Sequence, residues 1–258
     1  MQWIWVILWI IAALTFVQLL VLGSMGGIGP FGFIHKNKIT KAPGNAAEYD
    51  FDKLVPMDGS PLAGMHICIL GSSVAFGACS MEYGVGEYLA GRFGAKLTKE
   101  AVSGTTLVTA RPNSYVQRLK NIPTDIKFDL FLCQLSTNDA TLKCPLGDIR
   151  DENYDTRTVT GAIEHIIAYV KETWGCPVAF FTGSWYESRE YATMVKRLLE
   201  LKEKWDIIVL DLWSDDRFNS ISDEERKLYM IDKIHPTKAG YQNWWGPEQE
   251  RQLLENLL

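Results

Sequence analysis

His66-Ile-Cys-Ile-Leu70-Gly71-Ser72-Ser73-Val-Ala-Phe-Gly77 reads as a buried strand that ends at a glycine and turns into a helix. A short, nearly unbroken apolar run closed by glycine is what a strand covered on both faces requires, and such strands belong to parallel sheets. The pattern returns in Asp129-Leu-Phe-Leu-Cys-Gln-Leu135, in Pro177-Val-Ala-Phe-Phe-Thr182 and in Ile207-Ile-Val-Leu-Asp-Leu212. Helical stretches lie between these runs. One closes over Leu89 to Phe93 and stops at Gly94. A second runs from Val159 to Trp174, with Ile163, Ile166, Ile167 and Val170 at helical spacing and Gly175 and Pro177 as stop signals. Tyr191 to Trp205, Ser222 to Tyr229 and a closing helix from Thr237 complete the set. Four strands alternating with helices predict an α/β fold, a three-layer α/β/α sandwich on a parallel sheet. Reactive groups in such sheets collect on the loops that leave the carboxyl ends of the strands.

Outward from this core the composition changes sharply. No Asp, Glu, Lys or Arg occurs from Met1 to Ile34, and Trp3 to Leu22 is apolar apart from Thr15 and Gln18. Twenty helical residues span roughly 30 Å, the thickness of a bilayer core. A cleaved signal peptide would have a basic start, a shorter apolar core and a small-x-small exit. This segment begins Met1-Gln2-Trp3 and runs into Gly23-Ser24-Met25-Gly26-Gly27. It therefore reads as one transmembrane anchor over 1–24, followed by a Gly-, Pro- and Asn-rich linker over 25–60 and a folded domain over 61–258. Lys36, Lys38 and Lys41 follow the anchor and nothing basic precedes it, which points the domain to the cytoplasmic side of a single-pass membrane protein.

The remaining composition excludes several classes. With 258 residues, 47% of them apolar, the chain can bury one ordinary core. Its net charge of −5 and the lack of any dense basic run argue against a nucleic-acid partner. The five cysteines (Cys68, Cys79, Cys133, Cys144 and Cys176) are odd in number and have no CxxC spacing, and the four histidines form no HxxxH pair. Neither a disulfide framework nor a metal or other cofactor is expected.

Three segments fall where this fold would place a site. Ser73 lies in Gly71-Ser72-Ser73-Val74-Ala75-Phe76-Gly77, at a strand-to-helix turn whose free N–H groups can face a developing oxyanion. Read alone, the same serines could simply cap a helix. Leu135-Ser136-Thr137-Asn138-Asp139 leaves the second predicted strand; Asn138 could donate to a substrate oxygen, or the stretch could be a plain Asx turn. In Asp232-Lys233-Ile234-His235-Pro236-Thr237 a carboxylate three residues before a histidine can hold one ring nitrogen and leave the other for a serine. The alternative is a solvated histidine, with Pro236 starting the last helix.

Taken together and in this order, the segments resemble the SGNH/GDSL hydrolase superfamily over about residue 65 to the end. That family carries a Gly-Asp-Ser block after strand one, a glycine block, a Gly-x-Asn-Asp block and a terminal Asp-x-x-His-Pro. The corresponding residues here are Gly71-Ser72-Ser73, Ser103-Gly104-Thr105, Ser136-Thr137-Asn138-Asp139 and Asp232-Lys233-Ile234-His235-Pro236. Two positions depart from the pattern. Ser72 stands where the motif has Asp, and Ser136 replaces the glycine of the third block, a change expected to narrow the site. The resemblance implies a flavodoxin-like sheet, Ser73 as nucleophile, His235 as general base and Asp232 as its partner. It also implies an oxyanion hole from Ser73 N–H, Gly104 N–H and the Asn138 side chain. The implied reaction is cleavage of a carboxylic ester through an acyl-serine, on a short-acyl, O-acetyl glycan or lysolipid substrate.

An acyltransferase with the same triad, or a membrane-tethered glycan- or lipid-binding protein without turnover, would carry the same residues. An α/β-hydrolase fits less well, because only one strand precedes Ser73. A dinucleotide-binding module lacks its Gly-x-Gly-x-x-Gly. Trp185, Tyr186, Trp213, Trp244 and Trp245 are candidates for a sugar platform or acyl pocket, though bulky aromatics more commonly fill a core.

Overall fold

The computed structural model describes residues 2–27 and 29–257. It opens with the helix α1, Gln2–Gly26, whose apolar span Trp3–Gly23 is long enough to cross a membrane and is not covered by the rest of the chain. Length and apolarity are also what a signal sequence at this position has. Helix α2, Gly32–Thr40, follows, and the Phe31 ring at its start meets Phe16 of α1 edge-on at 5.4 Å.

The stretch expected to be a linker continues as three single 3-10 turns, Pro43–Asn45, Ala47–Tyr49 and Phe51–Lys53, before an irregular segment. Asn45 in the first turn is buried. Its Nδ2 donates to the carbonyls of Ile39 and Cys79, and its Oδ1 accepts the N–H of Lys238. The Lys238 ammonium is paired with Asp50. These turns are thus fastened to the C-terminal part of the chain.

The sheet begins with β1, His66–Gly71, which leads into the short helix α3, Ser73–Phe76, and then α4, Val85–Phe93. After it come β2 (Lys96–Ala101), α5 (Tyr115–Arg118), β3 (Leu130–Gln134), α6 (Thr137–Thr141) and α7 (Val159–Thr173). The chain closes with β4 (Val178–Phe181), α8 (Arg189–Trp205), β5 (Ile208–Leu210), α9 (Asp216–Asn219), α10 (Asp223–Tyr229), α11 (Lys238–Gly240) and α12 (Gly246–Leu257).

The strands pair in the order β2-β1-β3-β4-β5, all parallel. This is the flavodoxin-like order. Successive side chains point to opposite faces, so each strand feeds two cores. Ile67, Ile69, Leu132 and Phe181 pack with Leu89 of α4 and Leu253 of α12. Cys68, Leu70, Phe131 and Phe180 pack on the other face with Ile163 and Ile167 of α7 and Leu198 of α8.

Four of these strands coincide with the apolar runs; β1 keeps the whole of its run, and β3, β4 and β5 are shortened by one or two residues at their ends. The fifth, β2, was not expected. Lys96-Leu-Thr-Lys-Glu-Ala101 has no apolar run because it is an edge strand, only half covered. Its Lys99 pairs with Glu87 and its Glu100 with Arg118. The closing helix also differs from a single helix starting at Thr237. Thr237 caps α11, Tyr241–Trp245 forms a π turn, and α12 then runs to Leu257.

Candidate active site

The loops leaving β1 and β3 face the segment after α10, and the three motif-bearing stretches meet there. Two buried side chains shape the first loop. Gln134, the last residue of β3, is polar at the end of an apolar run, and its Oε1 accepts the N–H groups of both Ser72 and Ala75. That clamp bends the chain from β1 into α3. Gly77 closes α3 with φ +78, donating its N–H to the carbonyls of Ser73 and Val74. A left-handed residue is needed at this cap, and a Cβ there would lie 2.3 Å from the Tyr83 carbonyl oxygen.

Ser73 takes the first position of α3, where its own N–H has no intrahelical acceptor. Its Oγ lies 2.8 Å from His235 Nε2. Ser72, one residue earlier, is wholly buried, and its Oγ has no hydrogen-bond partner among the described residues. The two serines therefore face in opposite senses.

The histidine is held by a tight local turn. Asp232 Oδ2 is 2.9 Å and Oδ1 3.0 Å from His235 Nδ1, while Oδ1 also accepts the N–H groups of Ile234 at 2.8 Å and of His235 at 2.9 Å. An antiparallel bridge between Met230 and Pro236 closes the base of this turn. Partial burial pushes the Asp232 carboxyl up, but the His235 imidazole and the two backbone N–H groups outweigh it and hold the pKa at about 2. An ionised carboxylate can only accept, so Nδ1 carries the imidazole proton and donates it. Nε2 is then left with its lone pair toward the Ser73 hydroxyl. Chemically, the arrangement can draw a proton from Ser73 as its oxygen attacks a carbonyl.

The two remaining motif residues lie on adjoining loops. Gly104 has φ +79, stands open to solvent, and its N–H meets no acceptor among the described residues. Asn138, the second residue of α6, donates from Nδ2 to the carbonyl of Thr105 at 2.9 Å. One Nδ2 hydrogen is thus engaged beside Gly104 and the other is free to turn elsewhere. Ser136 is fully buried; its Oγ caps α6 by accepting the Asp139 N–H and reaches the Thr105 carbonyl at 3.5 Å. Asp139 accepts from the N–H groups of Leu107 and Val108, fixing the far end of the Gly104 loop to α6. Burial raises its pKa against the pull of those hydrogen bonds.

Two residues in this frame carried no motif. Gln134 left a trace in the sequence, a polar side chain inside an apolar strand run. Arg118 left none. Of the five aromatics considered for a platform, Tyr186, Trp213, Trp244 and Trp245 are buried, and Trp185 alone is open, at 53% exposure. Trp185 lines a cleft of about 690 Å³ together with Glu187, Asp223, Arg226, Lys227 and Lys233, and the cleft reaches Asp232. Among the described residues no cluster of His, Cys, Asp and Glu could hold a metal ion, and all five cysteines are free.

The GDSL-like lipase/acylhydrolase family pattern matches residues 69–242. The chain belongs to that family. As a GDSL-like lipase/acylhydrolase it is a serine hydrolase acting on ester bonds. No curated protein matches it in sequence. Solved structures share the fold of the GDSL domain at low identity. A protein from Lactobacillus plantarum is 19% identical with a TM-score of 0.62, covering 76% of this chain and 97% of that one. The aryl esterase of M. smegmatis, in an inhibitor-bound form, is 14% identical with a TM-score of 0.55, covering 76% and 100%. A carbohydrate esterase family 2 enzyme with a carbohydrate-binding domain, from Corynascus thermopiles, is 16% identical with a TM-score of 0.54, covering 79% and 69%.

Proposed function

We propose that Ser73, His235 and Asp232 hydrolyse a carboxylic ester through an acyl-serine intermediate. The observation that carries this reading is the 2.8 Å approach of His235 Nε2 to Ser73 Oγ with Asp232 on the opposite ring nitrogen. Ser73 Oγ attacks the carbonyl carbon while its proton passes to Nε2. The carbonyl oxygen becomes an oxyanion received by the N–H groups of Ser73 and Gly104 and the free Nδ2 hydrogen of Asn138. Imidazolium returns the proton to the leaving alkoxide, and alcohol departs. Water then attacks the acyl-serine by the same route, giving its proton to Nε2 and releasing the carboxylic acid and Ser73.

The alcohol side of the ester is polar, of glycan type. An acyl chain laid in the Trp185 cleft would meet Tyr186 and Met230 but would also press on Glu187, Asp223, Lys227 and Lys233, which hydroxyls can hydrogen-bond and a chain cannot. A sugar ring can stack on the exposed indole while its hydroxyls bond those charges. Trp185→Ala then raises KM for an acetylated glycan and leaves p-nitrophenyl acetate turnover unchanged; equal losses on both substrates would remove the platform. Helix α1 serves as an uncleaved anchor, with the domain on the cytoplasmic side. Full-length protein then stays with membranes through alkaline carbonate and the domain resists protease added to sealed right-side-out cells. Release by carbonate would rule the anchor out.

The decisive experiment labels the protein with a fluorophosphonate and follows ester turnover in two variants. Ser73→Ala loses both label and turnover. Ser72→Ala keeps the label with a modest loss, since its buried hydroxyl faces Tyr115 and not His235. The reverse pattern would move the nucleophile by one residue. A folded protein labelled at neither serine would be the binding protein, and product formed on an alcohol in place of water would make it an acyltransferase.

A further inference from the structure

Arg118 ends α5, a short helix that no motif touches, and it is 4% exposed. Each of its five N–H donors has an acceptor. Nε donates to the Asn113 carbonyl at 3.0 Å, and Nη1 donates to the carbonyl and Oε1 of Glu100, at 3.0 and 2.9 Å. Nη2 donates to the Gly71 carbonyl at 2.7 Å and to Thr105 Oγ1 at 3.0 Å.

Those last two acceptors have a particular place. Gly71 is the end of β1, two residues before Ser73, and Thr105 directly follows Gly104. Thr105 is itself pinned by donation from its Oγ1 to the Val102 carbonyl, and its carbonyl holds Asn138. One planar fork thus ties the strand that presents Ser73 to the loop that presents Gly104 and steadies Asn138. The loop needs such a brace, because Gly104 adopts φ +79 in open space with nothing packed against it.

We propose that Arg118 is a positioning residue that sets the spacing of the three oxyanion donors through Gly71 and Thr105. This rests on the oxyanion hole proposed above. A donor displaced by a few tenths of an ångström still lets substrate bind but no longer matches the oxyanion, so the loss falls on kcat. Lysine cannot replace the fork, since a single ammonium acts from one point and cannot span the Gly71 carbonyl and Thr105 Oγ1 while also serving the carbonyls of Asn113 and Glu100.

The test uses the full chain with Arg118→Lys, Thr105→Val and the pair, assayed on p-nitrophenyl acetate. Thr105→Val keeps the shape of the side chain and removes its hydroxyl, both the acceptor for Arg118 and the donor to the Val102 carbonyl, so it serves even where Arg118→Lys folds poorly. The expected losses in kcat are roughly 10²-fold for Arg118→Lys and on the order of tenfold for Thr105→Val, with KM within about twofold. The double variant falls well short of the product of the two single losses, because both break the Arg118–Thr105 link. Amide hydrogen exchange over residues 102–108 speeds up in both single variants while that of α7 does not change. Multiplying losses, a loss confined to KM, or unchanged exchange over 102–108 would overturn the proposal. If Asn138→Ala and wild type turn over alike, the oxyanion hole fails, and the exchange measurement still decides whether Arg118 holds the loop.

Discussion

Replacing Asp232 by Asn separates orientation of the imidazole from stability of its turn. In wild type, Oδ1 accepts the N–H groups of Ile234 and His235, and Oδ2 faces Nδ1. Asparagine can keep its Oδ1 on the two N–H groups, which places the Nδ2 donor against Nδ1. The flipped amide would aim a donor at two N–H donors, losing about 1–3 kcal/mol for each unpaired group, so it is not adopted. Nδ1 must then accept, the imidazole proton moves to Nε2, and Nε2 donates to Ser73 Oγ where it should accept. The base is lost while the turn survives. The expected fall in kcat is roughly 10⁴-fold, or about 5 kcal/mol of transition-state stabilisation, with the melting temperature within a few degrees of wild type. Ester turnover and thermal unfolding of the same preparation measure both. Turnover within tenfold of wild type at unchanged stability would refute the argument, because some other group would be fixing the tautomer. The pH dependence gives a second check. Asp232 is held at about 2 in the fold, below its ordinary value of 3.8. A depressed carboxylate contributes stability that is complete above its unfolded pKa and is lost as pH falls through the folded one. The part of the stability difference between wild type and Asp232→Asn that comes from ionisation of Asp232 is therefore complete above about pH 4 and shrinks toward pH 2.

Two further outcomes follow from neighbouring residues. Asn138→Ala lowers kcat by about 10²–10³-fold with little change in KM, since the donor acts on the oxyanion; steady-state kinetics showing a change in KM alone would reassign Asn138 to substrate binding. Gly77→Ala destabilises by more than the roughly 1–2 kcal/mol of a left-handed alanine, because its Cβ would meet the Tyr83 carbonyl oxygen at 2.3 Å; denaturant unfolding measures this, and a loss under 1 kcal/mol would mean the α3 cap is looser than the geometry requires.

What could be read from the sequence divides by how far apart the interacting residues lie. Asp232 and His235 sit three residues apart in one turn, and the strands that carry Ser73 and Asn138 are apolar runs, so the residues brought to the site were legible from local pattern. Strand β2 was not, because an edge strand is covered on one side by neighbours far along the chain, and its Lys99 and Glu100 pair with Glu87 and Arg118. Arg118 and Asn45 escaped for the same reason. Each is polar and, in sequence alone, belongs on a surface. Each is buried only because partners from other segments converge on it: the acceptors Gly71, Glu100 and Thr105 for Arg118, the Cys79 carbonyl and the Lys238 N–H for Asn45. Gln134 is the intermediate case. Its place at the end of an apolar strand shows that it is buried, but not that it grips Ser72 and Ala75, 62 and 59 residues away. The groups proposed here for proton transfer lie within one turn or directly follow a strand end, whereas the groups that hold them in register come from segments far along the chain. In this fold the chemistry is thus readable before its scaffold, and the scaffold residues are the ones whose substitution reports how precisely the chemistry is held.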